Sequence, residues 1–252
     1  MIKLILSGCN GKMGSVITRL VSEGTDYKIV AGIDIFGEAK NDYPVYSNAM
    51  DCKEQGDVII DFSHPNSLEK LLPFAVSRKI PLVVATTGLS QQQIARLQEI
   101  TTSVPIFFTA NMSLGVNLLI DLVCKAAKLL EESFDIEIIE KHHNQKIDSP
   151  SGTALAIADA ISSTLSQAPE YVYDRHSVRK KRNKKEIGIH AVRGGTIVGD
   201  HSVIFAGNDE ILEVKHSAAS KEIFAVGALR AAKYLIKQKP GLYNMKDLVD
   251  SL

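Results

Sequence analysis

The chain has 252 residues, of which 45% are hydrophobic and 23% are charged. At roughly 150 residues per domain, this length fits one large domain or two modest ones, and the composition excludes collagen-like, low-complexity and disordered chains. The 29 Lys and Arg residues balance the 29 Asp and Glu residues, so the formal net charge is zero. Because a neutral chain offers no overall basic field, we expect neither nucleic acid nor an acidic membrane surface as a partner.

Cysteine usage and hydropathy favour a soluble cytoplasmic protein. Cys9, Cys52 and Cys124 are odd in number and include no CxxC pair, which argues against a disulfide framework and against a cysteine-built zinc site. The apolar start at residues 2–6 ends at Ser7 and Gly8 without a small-residue cleavage site, so we interpret it as a buried strand. The apolar stretch at 118–130 is interrupted by charges and is too short for a membrane span.

The first 110 residues alternate short apolar runs with segments of helical period, as in βαβ units. Strands are predicted at 3–6, 29–33, 58–62, 82–86 and 106–108, and helices at 13–22, 66–78 and 91–101. Continuous apolar strands are typical of sheets that are buried on both faces. The sequence therefore predicts an α/β fold with a Rossmann-like, doubly wound parallel sheet.

A different pattern follows Asn111. The predicted elements are a long amphipathic helix at 115–130, a strand at 136–140, a helix at 153–165 and strands at 186–192, 202–206 and 211–216. The turns between the last three strands leave no room for crossover helices, so we expect these strands to pair largely by hairpins. They predict a second, α+β domain with a mixed open sheet. A final helix at 221–237 is expected to return to the first domain.

A glycine-rich loop, GCNGKMG at residues 8–14, joins the first predicted strand to the first predicted helix. Its GxxGxxG spacing is one residue longer than the common dinucleotide fingerprint. Gly8 permits a tight turn, Gly11 lets the backbone approach a pyrophosphate, and Gly14 allows close packing of the helix on the strand. Asp34 ends the second strand about 20 residues later, where an acid binds the ribose hydroxyls. We predict a nicotinamide dinucleotide; an ordinary glycine turn with a strand-end carboxylate is the alternative.

Asp34 also bears on which nicotinamide cofactor is used. A carboxylate repels a 2′-phosphate, and the residues that follow are Ile35 and Phe36 rather than arginine, so NADH is favoured over NADPH. Lys40 keeps NADPH open, because its ammonium could swing toward a phosphate.

The stretch EKHHNQKIDSPSGTA at 140–154 combines proton donors with a helix start. Because adjacent residues at a strand end point to different sides, His142 and His143 are expected to have separate tasks, and Lys146 can return toward one of them. The alternatives are a pair of satisfied surface or interface histidines and a solvated lysine, and a metal site is disfavoured because no third ligand has metal-site spacing. The clustering favours a functional site.

The same stretch predicts where an anion would bind. Ser149 followed by Pro150 has the form of a helix N-cap and first helical residue. The backbone amides of residues 151–153 would then lack intrahelical acceptors, and they could cradle a carboxylate with help from Lys146.

The HHxxKxDxPSGTA run resembles the signature of the 4-hydroxy-tetrahydrodipicolinate (dihydrodipicolinate) reductase family, which performs the hydride-transfer step of the diaminopimelate route to lysine. The loop at 8–14 is similar to the family's GxxGxMG loop, and the segments at 61–65, 85–88 and 110–117 follow its internal motifs. The resemblance implies NAD(P)H-dependent reduction of 4-hydroxy-tetrahydrodipicolinate to tetrahydrodipicolinate, with a small dicarboxylate as substrate.

The resemblance also implies a domain organisation. Residues 1–112 and 218–252 would form a dinucleotide-binding domain, and residues 113–217 a substrate-binding and oligomerisation domain. The expected assembly is a homotetramer.

Site roles follow from the same resemblance. The cofactor-binding positions would be Gly8, Cys9, Asn10, Gly11, Lys12, Met13, Asp34, Ala85, Thr86, Thr87, Thr109, Ala110, Asn111 and Met112. His142 would be the proton donor or acceptor and Lys146 the second donor. The substrate carboxylates would be held by His143, Gly152 and Thr153. Three departures from the family pattern, at Ile35, Ala85 and Met112, concern the choice of cofactor rather than the type of reaction.

Two other classes stay open: an amino-acid dehydrogenase of the same two-domain plan, and a non-enzymatic NAD-sensing module. Lys146 beside Gly152 and Thr153 favours the reductase, since a sensor needs no proton donor next to an anion cradle. The basic run at 175–185 could suggest RNA or DNA, but it lacks interleaved aromatic residues, so we predict a solvated loop. Arg193 is expected to shape a turn.

Overall fold

The structure is a computed structural model that describes residues 1–251. The chain divides into two compact units. Unit 1 comprises Met1–Leu114 together with the segment from Glu222 onward, and unit 2 comprises Gly115–Lys221.

The strands and helices are numbered in chain order. The strands are β1 (Ile2–Ser7), β2 (Tyr27–Ile33), β3 (Val45–Tyr46), β4 (Val58–Asp61), β5 (Leu82–Val84), β6 (Pro105–Phe108), β7 (Asp135–His142), β8 (Glu170–Val172), β9 (Glu186–Arg193), β10 (Gly199–Ala206), β11 (Ile211–Ala218) and β12 (Gly241–Tyr243). The helices are α1 (Lys12–Glu23), α2 (Pro65–Arg78), α3 (Gln91–Ile100), α4 (Leu114–Leu130), α5 (Gly152–Ser162), α6 (Glu222–Leu235) and α7 (Met245–Asp250), and a short 3₁₀ helix spans Ala49–Asp51.

Unit 1 is built on a seven-stranded parallel sheet in the order β12-β6-β5-β4-β1-β2-β3. The central strands are mostly apolar and buried, because helices cover both faces: α1, α6 and α7 pack on one and α2 and α3 on the other. The strand order reverses between β1 and β4, and ligands of such sheets bind beyond the carboxyl ends of the strands at this switch point. The predicted α/β, Rossmann-like class is confirmed.

Unit 2 is built on a five-stranded mixed sheet in the order β11-β10-β7-β9-β8. Helices α4 and α5 cover one face, where Ile136 and Ile138 of β7 meet Ile157 and Ile161 of α5 in an apolar core. The expected hairpin between β10 and β11 is present. The prediction of a hairpin between β9 and β10 is wrong, because β7 lies between these two strands. Strand β7 pairs parallel with β9 and antiparallel with β10.

Candidate active site

The glycine loop of unit 1 closes tightly between β1 and α1. Gly8 has a φ of +75°, and a Cβ added there would lie 2.5 Å from the carbonyl oxygen of Phe62. A Cβ at Gly14 would lie 2.3 Å from the carbonyl oxygen of Gly8. Both contacts are far shorter than real Cβ contacts, so the loop requires glycine at each position. Helix α1 begins with Gly11 as its N-cap and has no side-chain cap, which leaves its first amides facing the loop.

Asp34 lies beside this loop. Its carboxylate accepts a hydrogen bond from the backbone N–H of Asn10 at 3.1 Å and another from that of Phe36 at 3.4 Å. The Asp34 carboxylate, which the sequence spacing predicts to bind a ribose, is therefore hydrogen-bonded to the predicted phosphate-binding loop.

Loop and acid share one cavity of about 640 Å³, a volume within the usual range for small-molecule sites. Of the predicted cofactor residues, it is lined by Gly8, Asn10, Gly11 and Asp34. Lining residues that the sequence did not single out for this role include Ser47, Asn48, His64, Ser67 and Lys70. Lys40 also lines it. A glycine turn that tolerates no Cβ, an uncapped helix start and an adjacent carboxylate fit a dinucleotide.

Three of the predicted loop residues do not line this cavity. Cys9 points into the core, where its Sγ would be 2.5 Å from a Cβ at Gly32, and burial raises the pKa of its thiol to about 11. Any contact from Cys9 to a cofactor would therefore come from its backbone. Lys12 is exposed and Met13 is half-buried on the first turn of α1.

The residues predicted for the nicotinamide side follow the carboxyl ends of β5 and β6. The N–H of Ala85 donates to the carbonyl of Asp61 at 2.9 Å, and the buried Thr86 donates from Oγ1 to the Asp61 carboxylate at 2.6 Å. Thr87 is exposed. These residues lie beside the end of β4, the strand next to the glycine loop's strand β1.

The second predicted group, residues 109–112, forms the connection from β6 to α4. Thr109 donates from Oγ1 to the carbonyl of Asn111 at 3.3 Å, and Asn111 accepts from the N–H of Ser113 at 2.8 Å. Ala110 is exposed, whereas Met112 is buried in the core of unit 1. The side chain of Met112 is thus committed to packing.

In unit 2, His142 ends β7 with its imidazole buried and hydrogen-bonded. Its Nδ1 lies 2.6 Å from Oε2 of Glu140, a carboxylate with no exposed surface. Arg193 donates to both oxygens of Glu140 at 2.7 Å, and the N–H of Ser151 donates to Oε1 at 3.0 Å. Burial raises the pKa of Glu140, but the hydrogen bonds from Arg193, His142 and Ser151 outweigh burial and leave the pKa below its usual value.

The start of α5 differs from the sequence prediction. The helix begins at Gly152 with Ser151 as its N-cap, whose Oγ accepts the N–H of Ala154 at 3.2 Å, so the assignment of Ser149 and Pro150 as cap and first helical residue is wrong. The reason lies in Glu140, which binds the Ser151 N–H and fixes Ser151 in the capping position. The Ser151 amide is therefore used within the protein, and Gly152 and Thr153 occupy the first helical positions.

Lys146 lies on the loop between β7 and α5. Its Nζ forms an ion pair with Oδ1 of Asp148 at 2.8 Å, and 22% of the lysine side chain is exposed. The hydrogen bond from Lys146 lowers the pKa of Asp148, with a smaller contribution from the backbone N–H of Gly152. His143 is half-buried, and its carbonyl accepts the N–H of Lys146 at 3.1 Å. The predicted proton donors and the predicted carboxylate cradle thus lie on one short connection.

Sequence reasoning missed two residues of this cluster. Arg193 does not merely shape a turn: it holds Glu140 and also donates to the carbonyl of Asp148 at 2.7 Å. His201 is 4% exposed; its Nε2 lies 3.1 Å from Ser151 Oγ, and its ring lies 5.3 Å from the ring of His142. Burial, and next the neighbouring His142, lower the pKa of His201 to about 4. Both lie on strands that pair with β7, and the sequence predicted neither pairing.

The basic run is largely solvated, as predicted: every residue of 175–185 is exposed except Arg182. Arg182 is mostly buried and pairs with Glu137 and Asp135 of β7, while Arg175 pairs with Glu137 and Glu186. Within residues 1–251, no group of three or more His, Cys, Asp or Glu residues is arranged to hold a metal. In the same part of the chain, no helix has the length and apolar character needed to cross a membrane.

Comparison with known proteins covers nearly the whole chain. Family models described as dihydrodipicolinate reductase, N-terminus and C-terminus, match residues 2–112 and 115–249. A protein named 4-hydroxy-tetrahydrodipicolinate reductase from Caldanaerobacter subterraneus subsp. tengcongensis is 56% identical over 253 residues, covering 99% of this chain and 98% of the relative. A protein of the same name from Clostridium tetani is 48% identical, covering 100% of this chain and 98% of the relative.

Solved structures agree in fold. A dipicolinate-bound dihydrodipicolinate reductase from Paenisporosarcina sp. TG-14 aligns with a TM-score of 0.80 at 23% identity, covering 98% of this chain and 99% of that one. A meso-dapdh mutant from Clostridium tetani, solved with DAP, aligns with a TM-score of 0.57 at 15% identity, covering 98% and 94%. The matches to both family models and the relatives identical at about half of all positions establish that the chain belongs to the dihydrodipicolinate reductase family.

Proposed function

We propose that this protein catalyses the NAD(P)H-dependent reduction of 4-hydroxy-tetrahydrodipicolinate to tetrahydrodipicolinate in the diaminopimelate route to lysine. Family membership over both halves of the chain supports this reaction over an amino-acid dehydrogenase or an NAD-sensing module. The observation that carries the proposal is the placement of His142 and Lys146 on one connection with the start of α5.

Unit 1 is proposed to bind the nicotinamide cofactor, which supplies a hydride when bound. The backbone of residues 8–13 would hold the pyrophosphate and Asp34 the ribose, with residues 85–87 and 109–112 on the nicotinamide side. NADH is favoured because the Asp34 carboxylate would repel a 2′-phosphate. Lys40 and Lys70 line the same cavity, so NADPH is the second candidate. A much higher kcat/KM with NADPH than with NADH would contradict the proposal that Asp34 favours NADH.

Unit 2 is proposed to bind the substrate. The two carboxylates of the substrate need cationic or N–H hydrogen-bond donors. His143, Gly152 and Thr153 are the proposed partners of these carboxylates. Dipicolinate, which is bound to the structural neighbour from Paenisporosarcina sp. TG-14, is a dicarboxylate of this class. Reduction of a conjugated cyclic imine leaves electron density that must be protonated. His142 and Lys146 are the proposed proton donors, and general acid catalysis of this kind contributes about 10²–10⁴ in rate.

Oxidation of NADH, followed by absorbance with enzymatically generated substrate, tests the reaction. Lys146→Ala and His142→Gln are each expected to lower turnover by about 10²–10⁴ while leaving NADH binding nearly intact. Lys141→Ala is the matched control, since Lys141 neighbours His142 but lies on the opposite face of β7. Unchanged kcat in both test variants would remove these residues from the mechanism, and no oxidation of NADH or NADPH by the wild type would refute the reaction itself.

The proposed assembly and location complete this assignment. A homotetramer in the cytoplasm is proposed from the family resemblance. Light scattering of the purified protein tests the tetramer, and a monomer at all concentrations would contradict it.

A further inference from the structure

Glu140 is the most completely enclosed charged side chain beside the proposed proton donors. It has no exposed surface, and its two oxygens accept four hydrogen bonds: two from Arg193, one from the backbone N–H of Ser151 and one from His142. A buried carboxylate is costly unless it is paired and hydrogen-bonded in this way. The proposed chemistry assigns Glu140 no task.

The hydrogen bond between Glu140 and His142 determines where the imidazole carries its proton. An ionised carboxylate can only accept hydrogen bonds, so the Nδ1 atom 2.6 Å from Oε2 must carry hydrogen. In the neutral ring this leaves the lone pair on Nε2. Nε2 lies near Gly199, where an added Cβ would be 3.1 Å away, so even a small side chain at that position would crowd it.

We propose that Glu140 is a positioning residue for the reaction: together with Arg193 it keeps a hydrogen on Nδ1 of His142, so that Nε2 is the nitrogen that takes up a proton from solvent and passes it to the substrate. This inference rests on the proposed function for the identity of the reaction, but the tautomer it assigns does not depend on turnover. Paired hydrogen bonds that fix a histidine's tautomer and orientation recur in catalytic and metal-binding histidines.

The same carboxylate connects His142 to the proposed substrate cradle. Glu140 binds the N–H of Ser151, the N-cap of α5, and Arg193 binds both Glu140 and the carbonyl of Asp148. Asp148 in turn pairs with Lys146. One buried ion pair therefore ties together the proposed acid, the start of the anion-binding helix and the loop that carries the second donor.

Glu140→Gln makes a sharp test because the amide keeps the shape of the carboxylate. If its NH₂ replaced Oε1, it would meet two fixed donors, Arg193 and the Ser151 N–H. If it replaced Oε2, it would meet Arg193 and His142, and only the imidazole can change from donor to acceptor. The second orientation is favoured, and it forces His142 into the Nε2–H form.

The measurement is solid-state NMR of the full chain labelled with ¹⁵N-histidine, which separates the two neutral tautomers from each other and from the imidazolium, in which both nitrogens carry hydrogen. The chain has 7 histidines, and the His142 signals are assigned by their loss in His142→Gln. We expect Nδ1–H in the wild type and Nε2–H in Glu140→Gln, with kcat lowered about 10²–10⁴-fold and NADH affinity unchanged.

Glu137→Gln is the matched control. Glu137 lies on the opposite face of the same strand and is likewise held by arginine and histidine, through Arg175, Arg182 and His190. Glu137→Gln is expected to leave the His142 tautomer unchanged, whereas a general effect of losing a carboxylate paired with arginine and histidine would appear in both variants.

An Nε2–H tautomer in the wild type would overturn the proposal, even if Glu140→Gln failed to fold. So would a Glu140→Gln protein that keeps Nδ1–H and full kcat. If the wild type lacked reductase activity, the proposed function would fail, yet the tautomer would still support or overturn the positioning by Glu140.

Discussion

Replacing His201 should remove a defined part of the pH dependence of stability. The ring is 4% exposed, and burial together with the nearby His142 lowers its pKa to about 4 from 6.5. His201→Gln keeps an amide that can still pair with Ser151 Oγ, the partner of the histidine's Nε2, but it cannot titrate. Comparison of the two proteins isolates this one imidazole from the other groups around it, which include Glu140, His216 and Asp200.

The sign and size follow from the two pKa values. In the unfolded chain the imidazole takes up its proton near pH 6.5, whereas in the folded protein it does so only near pH 4. Protonation therefore favours the unfolded state, and the contribution of neutral His201 is complete above pH 6.5 and is lost as the pH falls toward 4. The loss is about 2 kcal/mol between pH 7 and pH 5, and about 3 kcal/mol by pH 4.

Urea unfolding at fixed protein concentration, monitored between pH 7 and pH 5, provides the assay. The wild type should lose about 2 kcal/mol of unfolding free energy relative to His201→Gln over this range. His176→Gln, at an exposed loop position, should follow the wild type. Parallel curves for wild type and His201→Gln would refute the reasoning, because a buried imidazole with a depressed pKa must unfold with proton uptake.

Three further substitutions probe the local structure. Gly14→Ala should destabilise the protein by about 1–3 kcal/mol and raise the Kd for NADH, measured by fluorescence titration, because its Cβ would meet the carbonyl oxygen of Gly8. Ser151→Ala should cost about 1 kcal/mol in denaturant unfolding through loss of the α5 cap, whereas Ser151→Thr, which keeps a capping hydroxyl, should restore part of it; equal stability of all three proteins would contradict the cap. Thr86→Val should cost about 1–3 kcal/mol because the buried Asp61 loses a donor; a stability equal to wild type would show that another group serves Asp61.

Much of the fold could be predicted because most elements carry a strong period. The apolar strands β1, β4 and β6 and the amphipathic helices α1 and α4 fall where the pattern placed them, to within a few residues. Strands β3, β8 and β12 were not predicted, since segments of two or three residues are too short to show alternation. Helix α7 was missed because its 6 residues are too few to show a helical period.

Strand neighbours were harder to predict than strands. Local turns suggested that β9 pairs with β10, but β7 separates them and takes a partner on each edge. The choice is made by long-range contacts: Ile138 of β7 lies opposite Ile189 on one side and Val203 on the other, so all three side chains enter one core. The length of a turn in the sequence cannot predict such a long-range contact.

The same limit separates the residues of the candidate site that the sequence disclosed from those it did not. Residues 142–153 were found because they are close in sequence and chemically conspicuous, and the helix start was misplaced by two residues because its cap depends on Glu140. Arg193 and His201 reach the cluster only through the pairing of β9 and β10 with β7. Residues proposed to contact substrate thus lie close together in sequence, whereas Arg193, which holds Glu140, and His201, which contacts Ser151, come from neighbouring strands. Substitutions on those strands should therefore alter the orientation of His142 without touching the substrate.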